Sequence, residues 1–232
     1  QLSAVNTDRT GWPVEVAPEL LGLLRASREL TEATGGAFDP TCRPILRTWA
    51  AAARAGEFPP DRALAEALAA TGWEHFELTG DPPTVARLHP EASIDLGGVA
   101  KGRGIDRAVE ALRRGGATGG LVDVGGDIRC FGRSERGRPW RGTLQDPFAG
   151  RGRAVLLLEL TDRAVATSGD YRRYSTIAGR RISHIVDPRT GRPVEGASSV
   201  TVLAPDATTA DAWATGLSVL GPDGIPLAER AG

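Results

Sequence analysis

The chain has 232 residues, 41% of them apolar and 25% charged, with 28 basic against 29 acidic side chains and a formal net charge of -1. That length is enough for one large or two small domains with a buried core. The even charge balance, without a run of like charges, excludes an electrostatic grip on nucleic acid or on an anionic membrane surface as the main function. No stretch approaches the roughly 20 continuous apolar residues of a membrane span. The chain opens on Gln1 and contains no methionine, so its translated start, with any signal peptide or lipid anchor, is expected upstream. Cys42 and Cys130 are too few for a disulfide framework, and one bridge between them is the only pairing available.

The first predicted helix begins at Pro18, where a first-turn proline is tolerated. Leu20, Leu23, Leu24, Ser27, Leu30 and Thr34 recur at helical spacing before Gly35-Gly36 ends it. Ile45, Leu46 and Trp49 mark a short second helix. Asp61, after Pro59-Pro60, is expected to cap a third that carries Leu64, Leu68 and Thr71 on one face. The period then changes: Phe76 to Leu78, a turn over Gly80 to Pro83, and Val85 to Leu88 read as a hairpin. A strand from Ser93 to Leu96 is expected to feed a glycine-rich loop from Gly97 to Gly104. A helix follows with Ile105, Val109 and Leu112 inward, stopped by Gly115-Gly116. Leu121 to Val124 and Ile128 to Phe131 read as strands broken by Gly125-Gly126-Asp127. Ala154 to Leu160, Ala164 to Thr167 and Ser199 to Leu203 read as further strands, and a last helix runs from about Thr209 to Val219. The mixture predicts an α+β fold of mixed sheets flanked by helices, one compact unit over residues 1–232.

Three groups of residues could carry chemistry. The loop after Leu96 lets backbone N–H groups approach an anion at a helix N-terminus. It fits neither a Walker A nor a dinucleotide fingerprint, so a phosphate site and a simple tight turn both remain open. Lys101, inside it, is the chain's one lysine; a compact, flexible ammonium differs in use from the planar guanidinium found at every other basic position. Secondly, Asp211 and Thr215 stand four apart on the last helix and present a carboxylate and a hydroxyl to one point. Hard oxygen ligands in small number suit Mg²⁺, and a first-turn acid beside a packed threonine is the plainer alternative. Thirdly, Ala166-Thr167-Ser168-Gly169-Asp170-Tyr171 and Ser183-His184-Ile185-Val186-Asp187-Pro188-Arg189-Thr190-Gly191 bring hydroxyls, carboxylates and a histidine onto loops. His184 could act as a general base or contact a ligand, whereas His75 and His89 sit at strand edges and read as surface residues. No paired histidines or Cys-x-x-Cys support zinc, and no Gly-x-Ser-x-Gly supports a serine hydrolase.

In their order along the chain these segments resemble the ApbE-type FAD:protein FMN transferases. The match runs through Thr34-Gly35-Gly36-Ala37-Phe38-Asp39-Pro40-Thr41, Asp95 to Gly102, Val124 to Arg129, Ala166 to Tyr174, Ser183 to Gly191, and Ala210-Asp211 with Thr215. The resemblance implies a flavin cleft, FAD as substrate and Mg²⁺ as the metal. The FMN half would be joined through a phosphoester to a Thr or Ser of a partner protein, with release of AMP. It implies Asp211 and Thr215 as metal ligands with the Gly98 carbonyl, and Ala37, Phe38, Asp39, Asp95, Lys101, His184 and Ile185 as FAD contacts. His184, Asp170 and Asp187 all stand as candidates to take the acceptor's proton. The acceptors implied are flavoprotein subunits of redox pumps or respiratory complexes. The implied location is the periplasmic side of the cytoplasmic membrane, with the cytoplasm as the alternative. The family's opening strand, with its Met-Gly-Thr-type segment, is expected ahead of Ser3 to Asn6 and is absent from residues 1–232, so part of the flavin pocket is expected outside them. Two other readings use the same residues: hydrolysis of FAD to FMN and AMP, and FAD binding without turnover.

Overall fold

The computed structural model describes residues 1–149, 153–169, 174–195 and 199–231. In chain order the elements begin α1 (Leu2–Thr7), β1 (Val14–Glu15), α2 (Pro18–Ala33), α3 (Arg43–Ala55), α4 (Asp61–Ala69), β2 (Phe76–Gly80), β3 (Pro83–Arg87) and α5 (Ala100–Arg114). They continue β4 (Gly120–Val124), β5 (Asp127–Phe131), β6 (Trp140–Gln145), β7 (Ala154–Leu160), β8 (Ala164–Ser168), β9 (Tyr174–Ile177) and β10 (Arg180–Ser183). The last are β11 (Val186–Asp187), β12 (Arg192–Pro193), β13 (Val200–Ala204), α6 (Ala207–Leu220) and α7 (Ile225–Ala231). The expected α+β mixture is present. A four-stranded antiparallel sheet in the order β13-β8-β5-β4 is accompanied by a three-stranded sheet, β1-β3-β2, and by the ribbons β6-β7, β9-β10 and β11-β12.

Helix α6 is the element around which the rest packs. Its Ala207, Ala210 and Ala214 meet Ile105 of α5, Ala164 and Ala166 of β8 and Ala204 of β13 in one buried cluster. Alanine on every facing surface lets the helix lie close to both the sheet and α5, as interiors packed to crystal density require. On its other side Gly216 makes room for the end of α2, because a Cβ there would stand 3.0 Å from Thr34 Cγ2. The β6-β7 ribbon is held against the four-stranded sheet by a separate cluster of Cys130, Val165 and Leu160, with Trp140, Leu144 and Leu158 packed on it. A third cluster joins Val5, Val16, Leu21, Leu24, Trp73, Phe76, Val85 and Ile94 beneath α2.

Several local expectations are corrected. Asp61 does not cap α4: Pro60 occupies the cap position, and Asp61 is the first helical residue, an acid placed where the helix dipole favours it. Residues 93–96 form no strand, only a single parallel bridge from Ser93 to Cys42. The Ile94 backbone is satisfied by the amide of Asn6, whose Nδ2 donates to Ile94 O and whose Oδ1 accepts from Ile94 N, both at 2.8 Å, while Asp95 N donates to Pro40 O at 2.7 Å. Ile105 and Val109 are buried as expected, but Leu112 is exposed. The start of α6 lies opposite Asp106, so the last turns of α5 run past its cover. Both cysteines are free thiols. Among the described residues, no helix is long and apolar enough to cross a membrane.

The Asn6 amide replaces a strand neighbour for the segment that leads into the glycine loop. Asn6→Ala leaves the Ile94 N–H and C=O without partners, and a loss of roughly 1–3 kcal/mol in urea unfolding is expected, with faster amide exchange at Ile94.

Candidate functional site

A cavity of about 1200 Å³ opens where several parts of the fold meet. Five of them are the α2–α3 connection, the glycine loop ahead of α5, the β4-β5 turn with the adjoining end of β8, the ribbon strand β6, and the segment around His184, and helix α6 with β13 completes the wall. It exceeds the roughly 300–1,000 Å³ common for small-molecule pockets. Ala37, Phe38, Asp39, Asp95, Gly98, Lys101, His184, Ile185, Asp211 and Thr215 all line it. Segments far apart in sequence are thus brought to one surface.

The chemistry concentrates at the junction of α5 and α6. Gly102 has no room for a side chain, since a Cβ would collide with the Ala207 carbonyl and Thr208 Cα. That closeness lets Gly102 N–H donate to Asp211 Oδ2 at 3.0 Å. Thr215, one turn further along α6, donates to Asp211 O at 3.2 Å and lies 3.3 Å from Ser168 Oγ. The Gly98 backbone stands against the same threonine, so close that a Cβ would sit 3.1 Å from Thr215 Oγ1. Asp211 is almost fully buried, and its carboxyl is pushed up to about 6. Burial is the main cause. The Gly102 N–H and the positive charge of Lys101 oppose it, while Asp127 adds to it.

Lys101 itself is committed to Asp127, with Nζ 2.5 Å from Oδ2, while Asp127 Oδ1 accepts from Thr167 N at 3.0 Å. Asp211 therefore keeps a buried carboxylate without a cation of its own, and its Oδ1 has no hydrogen bond among the described residues. A carboxylate, a hydroxyl and the backbone at Gly98 form an all-oxygen set, and the described residues contain no cluster of three His, Cys, Asp or Glu side chains. This fits a hard divalent cation that keeps most of its ligands from water and substrate phosphate.

The other cavity carboxylates are held by local hydrogen bonds. Asp39 Oδ1 accepts from Thr41 N at 2.8 Å and Thr41 Oγ1 at 2.7 Å; burial raises its carboxyl above the ordinary range against the pull of those two bonds. Asp95 Oδ1 accepts from Gly97 N at 2.7 Å and so shapes the loop before α5. Ile185 is buried in the wall and His184 is exposed at it.

Asp187 departs from its expected role. Both of its oxygens are engaged by Arg189, from the backbone N and Nε onto Oδ1 and from Nη2 onto Oδ2, each at 2.9 Å, and it does not line the cavity. Partial burial raises its carboxyl, but the Arg189 bonds and charge outweigh this and hold it below the usual range, which suits an acceptor tied to an arginine and not a base. Asp170 lies outside the described residues. His75 and His89 are not isolated: their rings lie 4.9 Å apart, and His75 Nε2 is 3.0 Å from Ala69 O. Sequence reasoning named Ser168 among the loop hydroxyls without tying it to Thr215, and gave Asp127 no role. Asp127 sits in a Gly-Gly turn that reads as turn chemistry, and only its pairing with the single lysine, on another element, marks it out.

The chain as a whole is similar to known proteins. Relatives include the FAD:protein FMN transferase of Vibrio cholerae, 37% identical over 233 residues that cover 99% of this chain and 69% of the relative. That of Haemophilus influenzae is 35% identical, over 99% of this chain and 67% of the relative. The chain thus spans about two thirds of these relatives' length. Among solved structures, the ApbE protein of Thermotoga maritima superposes with a TM-score of 0.86 at 36% identity, over 99% of this chain and 74% of that one. The flavin transferase ApbE of Vibrio cholerae gives 0.83 at 36%, with the same coverage. The profile of the ApbE family matches residues 1–232, and with fold, sequence and cavity in agreement the chain belongs to that family.

Proposed function

We propose that the chain transfers the FMN half of FAD to a threonine or serine hydroxyl of an acceptor protein and releases AMP. The observation that carries this reading is the α5–α6 junction, where a buried carboxylate without an ion-pair partner of its own stands near a lysine and a glycine loop in a cavity larger than one small ligand needs. In the reaction, the hydroxyl oxygen forms a bond to the FMN phosphorus, and the bond from that phosphorus to the bridging oxygen breaks. The electron pair leaves with AMP, and the hydroxyl proton passes to a base.

Asp211, Thr215 and Gly98, through its carbonyl, would hold Mg²⁺. When bound, the metal neutralises charge on the pyrophosphate oxygens. The chain's own residues do the remaining work. Lys101 offers a cation to the phosphates, and Asp127 holds its ammonium in place from the β5 side. Phe38 and Ile185 supply apolar walls, and Asp39 and Asp95 are polar contacts for FAD. Of the candidate bases among the described residues, His184 and not Asp187 lines the cavity, and it takes the acceptor's proton in this reading. The acceptor is a flavoprotein subunit of a redox pump or respiratory complex.

Incubation with FAD, Mg²⁺ and a redox-pump flavoprotein subunit, followed by mass spectrometry, is expected to find the mass of FMN added to a Thr or Ser peptide. AMP released equally fast without acceptor, and no modified peptide, would replace transfer by hydrolysis. In the same assay Asp211→Ala is expected to lower Mg²⁺-dependent transfer by about 100-fold or more.

The raised carboxyl of Asp211 also sets a pH dependence in metal-free protein. A group whose folded value lies above its unfolded one stabilises fully below the unfolded value, near 4, and that contribution is lost as pH rises through about 6. The loss amounts to at most about 3 kcal/mol. In EDTA, Asp211→Asn is expected to gain on the wild type between pH 4 and 7.5 in urea unfolding. Added Mg²⁺ at neutral pH should raise the melting temperature of the wild type and not of the variant.

A further inference from the structure

Asp106 has no part in the contacts assigned above to FAD, metal or proton, yet it is among the most heavily bonded carboxylates of the molecule. It lies on α5 one turn past Gly102 and is buried. Its Oδ1 accepts from Ala207 N at 2.8 Å and Arg129 Nη1 at 2.7 Å, and its Oδ2 accepts from Thr208 N at 2.9 Å and from Thr208 Oγ1 at 2.5 Å.

Ala207 N and Thr208 N belong to the first turn of α6, where N–H groups have no intrahelical acceptor and the dipole favours negative charge. Asp206, the residue before α6, takes a third, Thr209 N, at 2.8 Å. So α6 is capped in part by a side chain from a different helix. Arg129, which completes the set, stands two residues from Asp127 on β5 and so on the same side of the strand. Two ion pairs, Lys101 with Asp127 and Arg129 with Asp106, therefore fasten α5 to β5, and the second of them also fastens α6.

We propose that Asp106 is a positioning residue for flavin transfer. By tying the first turn of α6 to α5 and β5, it sets the separation between the Lys101–Asp127 pair and the oxygen set of Asp211, Thr215 and Gly98. Asp211 lies one turn along α6 from Ala207, so any slip of that first turn reaches its carboxylate directly. A displacement of about 1 Å at a reacting centre can cost on the order of 100-fold in rate. The proposal rests on the flavin-transfer reading of the site, and its test separates the two.

Asp106→Asn keeps the shape of the side chain but turns an NH₂ toward the donors, and Thr208→Val removes one donor while leaving the backbone bonds. Both are compared with the wild type by calorimetric titration of Mg²⁺ into FAD-saturated protein. FAD affinity without Mg²⁺ is measured by flavin fluorescence, and melting temperature alongside. Well below the melting temperature of each protein, Mg²⁺ affinity is expected to fall roughly tenfold or more in Asp106→Asn and by a smaller factor in Thr208→Val. FAD affinity without Mg²⁺ should change less than about twofold, because the FAD walls lie mostly on other elements. Lower melting temperatures with unaltered Mg²⁺ affinity in the folded protein would reduce Asp106 to a fold-stabilising residue and overturn the proposal. If Asp106→Asn does not fold, an unaltered Mg²⁺ affinity in Thr208→Val overturns it. A wild type that binds FAD and Mg²⁺ but neither transfers nor hydrolyses would sink the flavin-transfer reading, and the Mg²⁺ affinities would still decide the role of Asp106.

Discussion

The contact between α5 and α6 at Gly102, where a Cβ would collide with the Ala207 carbonyl, sets the geometry on which the site depends. Because the two backbones meet without an intervening side chain, the Gly102 N–H reaches the carboxylate of Asp211 and holds it in place. The alanine faces of α6 and β8 serve the same end from the other side, keeping the helix close to the sheet that carries Asp127 and Thr167. A larger residue at any of these positions would separate the lysine side of the cavity from the α6 side.

The cavity is rich in carboxylates, and each is accommodated in its own way. Asp39 has the Thr41 hydroxyl and N–H, Asp95 the Gly97 N–H, Asp123 the Gly126 N–H, and Asp127 the lysine. Asp211 has one backbone N–H and deep burial, and the burial pushes its carboxyl up to about 6. The shortage of positive charge is thereby localised at one point on α6, next to a hydroxyl and an exposed stretch of backbone. Electrostatics of this kind attracts a cation to a chosen place without a dense cluster of ligands. Opposite it, Asp127 holds the compact ammonium of Lys101, a more mobile cation than a planar guanidinium.

Much of this was legible in the sequence, for physical reasons that differ by element. Helix α2 and the hairpin β2-β3 announced themselves because their periodicity and their turn residues agree with their packing. Asp211 and Thr215 were legible because a spacing of four on a helix fixes a common face whatever surrounds it. Asp127 was not, because its meaning comes from a lysine on another element and from the amide of Thr167. Asp106 was hidden for the same reason, as a charged residue on a helix face that reads as solvated until α6 is seen to begin against it. Residues 93–96 looked like a strand from their composition, but a side-chain amide took over the pairing that a neighbouring strand would have made. Asp187 shared a segment with His184 and looked equally available, yet the turn it begins folds Arg189 back upon it.

Cys42 lines the same cavity as a free thiol. A thiolate in that position would compete with an incoming hydroxyl and expose the protein to self-modification or oxidation. Burial, reinforced by the negative charges of Asp39 and Asp95, pushes its ionisation far above the range of ordinary cysteines. Burial and the acids beside Cys42 thus keep this wall of the cavity chemically silent, and leave nucleophilicity to whatever enters from outside.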